Sequence, residues 1–317
     1  MLIVFLVFGA VLAFLLGWNN SGVIIGSSYG CGVSSINRSR IVIGLGVMLG
    51  AFMEGNKMSH TVFGGLTSDM LSLEVEATMV LAISLASILV LFAFSMLRIP
   101  SSLSLIAVGA SMGAILGLNL TLEVNYVMVL VVSWLLLPLL SVFLTMFTYQ
   151  PIVTFVSKFS LAGADLITRL SATLGIFILS YVLGANNVGF INGLYAPLLS
   201  QPTQGIMSLA TSASTIIGLV LFGRAITEVI GEKFVVLSSQ GVFTSMIVSA
   251  ACVWIFTQAG IPISITYVLI GSIVGAALVK RIAILNIRVL HGIVRGATGS
   301  ILLSCISAFV IVRILCR

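Results

Sequence analysis

Two short stretches of this 317-residue chain carry paired amides where an apolar run would otherwise continue: Gly17-Trp18-Asn19-Asn20-Ser21-Gly22 and Gly184-Ala185-Asn186-Asn187-Val188-Gly189. An Asn side chain offers a carbonyl oxygen that can ligate a cation and an NH2 that donates to an anion. Two further stretches set hydroxyls behind a proline: Pro100-Ser101-Ser102-Leu103-Ser104 and Pro262-Ile263-Ser264-Ile265-Thr266. Proline breaks or starts a helix, and hydroxyls two and four residues on can turn toward the opening. Gly permits a turn, the following Asn and Ser can cap a half-helix, and free N–H groups at such a start receive an anion. On this pattern Asn20, Ser21, Gly22, Asn187, Val188, Gly189, Ser102, Ser104, Ser264 and Thr266 are the candidate substrate-binding residues. Asn19, Asn186, Glu54 and Glu228 are the candidates for a coupling cation.

The stretches are copies. Asn20 and Asn187 lie 167 positions apart, as do Lys57 and Arg224. Ile99–Ser104 and Ile261–Thr266 match at an offset of 162, and Gly109 and Gly113 match Gly271 and Gly275 at that same offset. One match is chance; four in the same order are an internal duplication. Matched interruptions in the two halves of an apolar chain are the pattern of a secondary transporter, whose site lies where the halves meet. Backbone at membrane depth must be hydrogen-bonded, so irregular segments persist only where they line a buried or wet site. A plainer role exists for each hydroxyl alone, since Ser and Thr in membrane helices often bond only their own backbone or a neighbouring helix.

The elements that position these residues follow from composition. Hydrophobic residues make up 60% of the chain and charged residues 7%, against roughly a quarter charged in soluble domains. The sequence therefore specifies an all-α polytopic membrane protein in the lipid bilayer, a multi-pass protein of the cell membrane. At ~20 residues per span there is room for roughly 10–12 membrane segments, broken helices included. Residues 1–150 read as a first membrane repeat, 151–165 as a short linker and 166–317 as a second repeat. Long continuous apolar runs exclude an outer-membrane barrel, whose strands alternate. A nucleic-acid-binding module and a disulfide-stapled domain are excluded on the same composition. Cys31, Cys252, Cys305 and Cys316 are scattered without ligand spacing, and no metal site is expected. The first basic residue is Arg38, so no cleaved signal peptide is expected. The basic clusters fall on neither side by a simple span count, and membrane orientation stays open.

At these motifs the chain resembles the inorganic phosphate transporter family of secondary carriers. That family bears a duplicated G-A-N-D-x-x-N signature, matched here by Gly17–Asn20 and Gly184–Asn187. Its Gly-x-Lys or Gly-x-Arg segments are resembled by Gly55-Asn56-Lys57 and Gly223-Arg224, and its P-x-S-x-T segments by Pro100–Ser104 and Pro262–Thr266. Ser133-Trp134-Leu135-Leu136-Leu137-Pro138 resembles the closing span of the family's first half. The resemblance implies a homodimeric carrier of two inverted repeats that moves phosphate with Na+ or H+ and uses no organic cofactor.

The departures are specific. The signature aspartate is Asn20 in one copy and Asn187 in the other, and the downstream Asn is Val23 or Phe190. Replacing two carboxylates favours a fully ionised oxyanion such as sulfate and weakens the case for sodium. Sulfate permease is therefore the alternative reading, and a passive anion channel a second one. Glu54 with Lys57 and Glu228 with Arg224 are spaced to pair on a helix, either as neutralised pairs or as carriers of the coupling charge. Asp69, Glu74 and Glu76 read as solvated loop residues, and His60 and His291 as bystanders. Gly109-Ala110-Ser111-Met112-Gly113 fits G-x-S-x-G, but lies in an apolar helical run without the strand and His that a hydrolase needs. Gly109, Gly113 and Gly117 read better as a close-packing ladder. No phosphate-binding loop of an ATPase is present in the sequence. An enzyme is not expected.

Overall fold

The computed structural model describes residues 2–29, 35–69, 71–99, 101–223, 237–280 and 287–316. Among these every regular element is helical. In chain order they are α1 (Leu2–Tyr29), α2 (Ile36–Glu54), α3 (Leu73–Met96), α4 (Leu103–Gly117), α5 (Val124–Val156) and α6 (Leu161–Leu183). There follow α7 (Gly189–Tyr195), α8 (Gln201–Phe222), α9 (Ser239–Gln258), α10 (Ile265–Val279) and α11 (Ile287–Leu315). A tight turn and a π-helical turn (Thr61–Leu66) follow α2, and a π-helical turn (Gly184–Val188) joins α6 to α7.

Eight helical stretches among the described residues are long and apolar enough to cross a membrane, and α4 and α10 are shorter apolar helices. Each short helix has 15 residues, about 22 Å at 1.5 Å per residue, less than the ~30 Å hydrocarbon core. Both begin inside the protein: Leu103–Ala110 are buried, and so are Ile265 and Thr266. Ten apolar elements result, at the lower end of the expected range. Residues 151–165 hold the last turns of α5 through Val156, a turn and the start of α6.

The two halves interlock. Helix α1 packs on α8, α2 on α6, α4 on α11 and α5 on α10, so four first-half helices each take a main partner from the second half. These crossings are close because small residues stand where backbones meet. A Cβ at Gly113 would lie 2.0 Å from the Cys305 carbonyl oxygen, and one at Gly275 2.4 Å from that of Val142. The glycine ladder thus packs α4 on α11, and its copy packs α10 on α5. Ser111 donates to the Ala107 carbonyl of its own helix at 2.8 Å and forms no nucleophile elbow.

One expectation fails locally. Gly17–Gly22 does not interrupt its helix, since α1 runs unbroken from Leu2 to Tyr29. The second copy deforms into a π-helical turn without ending the helical path. Gly and Asn loosen a helix but keep their N–H groups, so tertiary packing can hold the ladder together. Proline removes an N–H outright. The true ends lie at the prolines: α3 stops at Met96 before α4 begins at Leu103, and α9 stops at Gln258 before α10 begins at Ile265.

Candidate functional site

The two proline breaks are built alike. Arg98 and Gly260, 162 positions apart, both take left-handed backbone with φ of 56° and 68°. Behind them the Ile99 N–H donates to the Phe94 carbonyl at 2.9 Å and the Ile261 N–H to that of Phe256 at 3.0 Å. This six-to-one closure satisfies an otherwise orphaned carbonyl at the end of α3 or α9. Glycine suits Gly260 twice over, because a Cβ there would also lie 2.8 Å from the Lys57 carbonyl oxygen.

The first amide of each signature reaches the break of its own half. Asn19 Oδ1 accepts the Ser101 N–H at 2.9 Å, while Nδ2 donates to the Ile99 carbonyl at 3.2 Å and to Ser95 Oγ at 3.1 Å. Asn186 Nδ2 donates to Thr257 Oγ1 at 2.9 Å and to the Ile261 carbonyl at 3.4 Å, with Met58 Sδ at 3.8 Å. Ser95 and Thr257 are themselves an offset-162 pair. Extending the repeat comparison four residues upstream of each Ile-Pro would have found them.

The second break is held from several sides. Its consecutive carbonyls at 260, 261, 262 and 263 each receive a side-chain donor. Thr61 and Tyr126 donate to Gly260, at 3.0 and 3.3 Å. Trp134 Nε1 donates to Pro262 at 2.9 Å, and Ser104 Oγ lies 3.1 Å from the Ile263 oxygen. Four of these donors come from the first half. Sequence reasoning gave Thr61, Tyr126 and Trp134 no part in the site, because no motif links them to Gly260–Ile263.

Ser104 also lies 3.4 Å from Asn187 Oδ1, so α4, the second signature and the second break meet at this hydroxyl. Among the described residues, buried polar atoms without a protein partner include both amide atoms of Asn20, Asn187 Nδ2 and Asn186 Oδ1 in the two signatures, and the hydroxyls of Ser101 and Ser102 behind the first break. Asn20 is 3% exposed, and Asn187, Ser101 and Ser102 are fully buried. Ser264 caps α10 by accepting the Tyr267 N–H at 3.4 Å, and Thr266 is buried two residues on. Val188 and Gly189 lie at the deformed turn, with Gly189 packed against Gly55. The side chain of Ser21 and the surroundings of Gly22 are not described, and Glu228 lies outside the described residues. Ser101 was missed as a site residue; its position immediately after Pro100 was the available signal.

Glu54 stands in a separate network at the end of α2. It accepts from Trp254 Nε1 at 3.0 Å and Gln258 Nε2 at 2.7 Å, and Lys57 Nζ lies 3.7 Å away and also donates to Gln258 Oε1. Lys57, His60, Tyr126, Gln258 and Gly260 line a cavity of about 770 Å³. This cavity reaches the second break at Gly260, whose carbonyl Thr61 and Tyr126 hold.

A model of the phosphate transporter family matches residues 16–165 and again 164–308. The chain belongs to the phosphate transporter family. It is therefore a multi-pass membrane protein of a family of carriers. A protein named as a phosphate permease in Methanocaldococcus jannaschii is 24% identical over 311 residues, covering 98% of this chain and 96% of that one. The sulfate permease CysP of Bacillus subtilis is 26% identical over 280 residues, covering 87% of this chain and 77% of the permease. Among solved structures, one titled the sodium-dependent phosphate transporter superposes with a TM-score of 0.85 at 18% identity, covering 99% and 98% of the two chains. That likeness establishes the carrier fold.

Proposed function

We propose that this family member is a secondary active transporter of an inorganic tetrahedral oxyanion, phosphate first, working by alternating access with Na+ or H+ as the coupling ion. The observation that carries the reading is the set of partnerless buried groups in the two signatures and behind the first proline break. Each unsatisfied buried polar group costs about 1–3 kcal/mol. Such a group persists where a ligand or ordered water completes it. Asn20 Nδ2, Asn187 Nδ2 and the Ser101 and Ser102 hydroxyls supply directed donors of the kind an oxyanion needs. Ser104, Ser264 and Thr266 extend the set along the starts of α4 and α10. The two halves, 1–150 and 166–317, act as the rocking units, with Glu54 as the acidic group nearest the motifs for the coupling charge. A homodimer is the proposed assembly.

Sulfate is the second reading, and one observation favours it. Among the described residues the partnerless groups of the signatures and the first break are amides and hydroxyls with no carboxylate, and both signature aspartates are replaced. A carboxylate can accept the proton of HPO4 or H2PO4, whereas neutral donors suit a proton-free dianion. The sulfate permease relative supports the same reading. Uptake of labelled phosphate and labelled sulfate into proteoliposomes, under imposed Na+ or H+ gradients, tests both. Gradient-driven accumulation of either anion supports the carrier reading. No uptake of either, together with transport of an organic solute, overturns it.

A further inference from the structure

The two signature copies place their first amides identically in sequence but bond them differently. Asn19 clasps both sides of Pro100: Oδ1 takes the Ser101 N–H, and Nδ2 holds the Ile99 carbonyl and Ser95 Oγ. The repeat places Ile263 where the first half has Ser101. Asn186 makes the donor arm of the same clasp, to Ile261 and Thr257, but its Oδ1 is buried without a partner. The first clasp is closed and the second is half made.

We propose that Asn19 and Asn186 are positioning residues that fix the proline breaks carrying the site's hydroxyls, and that the acceptor arm of the Asn186 clasp closes on the Ile263 N–H when the anion is bound. The inference rests on the oxyanion reading of the cluster. It reassigns both amides, which the sequence pointed to as cation ligands. Asn19 sets where Ser101 and Ser102 stand, because its bonds hold the residues on either side of Pro100. Asn186 does the same for Ser264 and Thr266 through Ile261. Its partnerless oxygen lies beside the element whose 263 carbonyl is already held by Ser104, the hydroxyl that also touches Asn187. Closing the arm thus tightens the second break around the same hydroxyl that touches Asn187. A repeat-built carrier needs one half to differ from the other in each state, and a clasp with one closed and one open copy supplies that difference.

The test is amide hydrogen exchange over 97–106 and 259–268 in the detergent-solubilised full chain, with and without inorganic phosphate or sulfate, alongside counterflow uptake. In wild type, anion addition should slow exchange at Ile263, and Asn186→Ala should abolish that slowing. Asn19→Ala should speed exchange at Ser101 at least tenfold and raise the transport KM about tenfold, as expected for one lost buried hydrogen bond. Asn19→Asp, which keeps an acceptor for the Ser101 N–H, should restore its protection. Should Asn19→Ala fail to insert, Ser95→Ala removes a single arm and should raise KM in the same direction. Unchanged exchange in Asn19→Ala with a raised half-saturation for Na+ or a shifted pH profile would make Asn19 a coupling-ion ligand and overturn the proposal. Anion protection at Ile263 that survives Asn186→Ala overturns the latch. If neither anion alters wild-type exchange or is taken up, the oxyanion reading itself falls, while Ser101 exchange in Asn19→Ala still decides the first clasp.

Discussion

Truncating Asn20 to alanine separates a ligand-binding amide from a structural one. Among the described residues neither amide atom of Asn20 has a protein partner, and the residue is 3% exposed. Removing two unsatisfied groups relieves a penalty of about 1–3 kcal/mol each. The void left behind offsets this by about 24 cal/mol per Å³, on the order of 1 kcal/mol for a group of that size. Without anion the variant should therefore be more stable than wild type, by about 1–5 kcal/mol on these figures. Anion binding works against the variant. Losing a donor to a charged ligand costs about 1.5–3 kcal/mol, a tenfold to hundredfold loss of affinity. At a ligand concentration of 100 times the wild-type Kd, linkage stabilises wild type by ~2.7 kcal/mol. A hundredfold weaker variant would gain only ~0.4 kcal/mol at that concentration. Thermal unfolding in detergent across a phosphate and a sulfate titration reads both numbers. An Asn20→Ala variant that melts well below wild type without ligand, and keeps the full ligand-dependent rise, refutes the reasoning and makes Asn20 an ordinary core residue.

Restoring both family carboxylates with Asn20→Asp and Asn187→Asp should move preference toward protonated phosphate and increase Na+ dependence. The check is the ratio of phosphate to sulfate uptake at matched gradients. Glu54→Gln removes the charge held by Trp254, Gln258 and Lys57, and should weaken the response of uptake to a proton gradient while leaving anion binding in detergent unchanged. Asp69, a solvated loop residue as expected, also tethers Thr121: it accepts Oγ1 and the N–H, each at 2.7 Å. These bonds, the hydroxyl first and the N–H second, hold its carboxyl below the ordinary value. The tether is therefore complete above about pH 4 and is lost as pH falls through the depressed value. Exchange at the Thr121 N–H should rise in Asp69→Asn at neutral pH, and in wild type only on acidification.

The repeat was legible because its strongest copies are rigid chemistry. Pro100 and Pro262 dictate breaks whatever surrounds them, and Ser102, Ser104, Ser264 and Thr266 follow at fixed register. The glycine ladder was legible for a related reason, since only a missing Cβ lets α4 and α10 approach a neighbouring backbone. The signature amides were found, but not what each of them bonds. Nothing local distinguishes Asn19, with three bonds, from Asn20, with none. The difference arises from which neighbour each faces across the interlocked halves. Gly17–Gly22 was expected to end a helix, but its residues keep every N–H, so packing against α8 overrides their propensity. Tyr126, Thr61 and Trp134 were out of reach because they satisfy backbone carbonyls 134, 199 and 128 positions away, and such partners leave no sequence pattern.

Counterflow across proteoliposomes tests the central claim most directly, since it asks whether one buried site is exposed alternately to each side. Vesicles preloaded with unlabelled phosphate, or with sulfate in a parallel set, are diluted into a trace of the same labelled anion. The account predicts that the label rises transiently above its equilibrium level inside the vesicles with one of the two anions, saturably, and that Asn20→Ala with Asn187→Ala abolishes the overshoot without preventing insertion. Flux that only relaxes to equilibrium, scales linearly with concentration and survives both substitutions would show an open conductive path and contradict it.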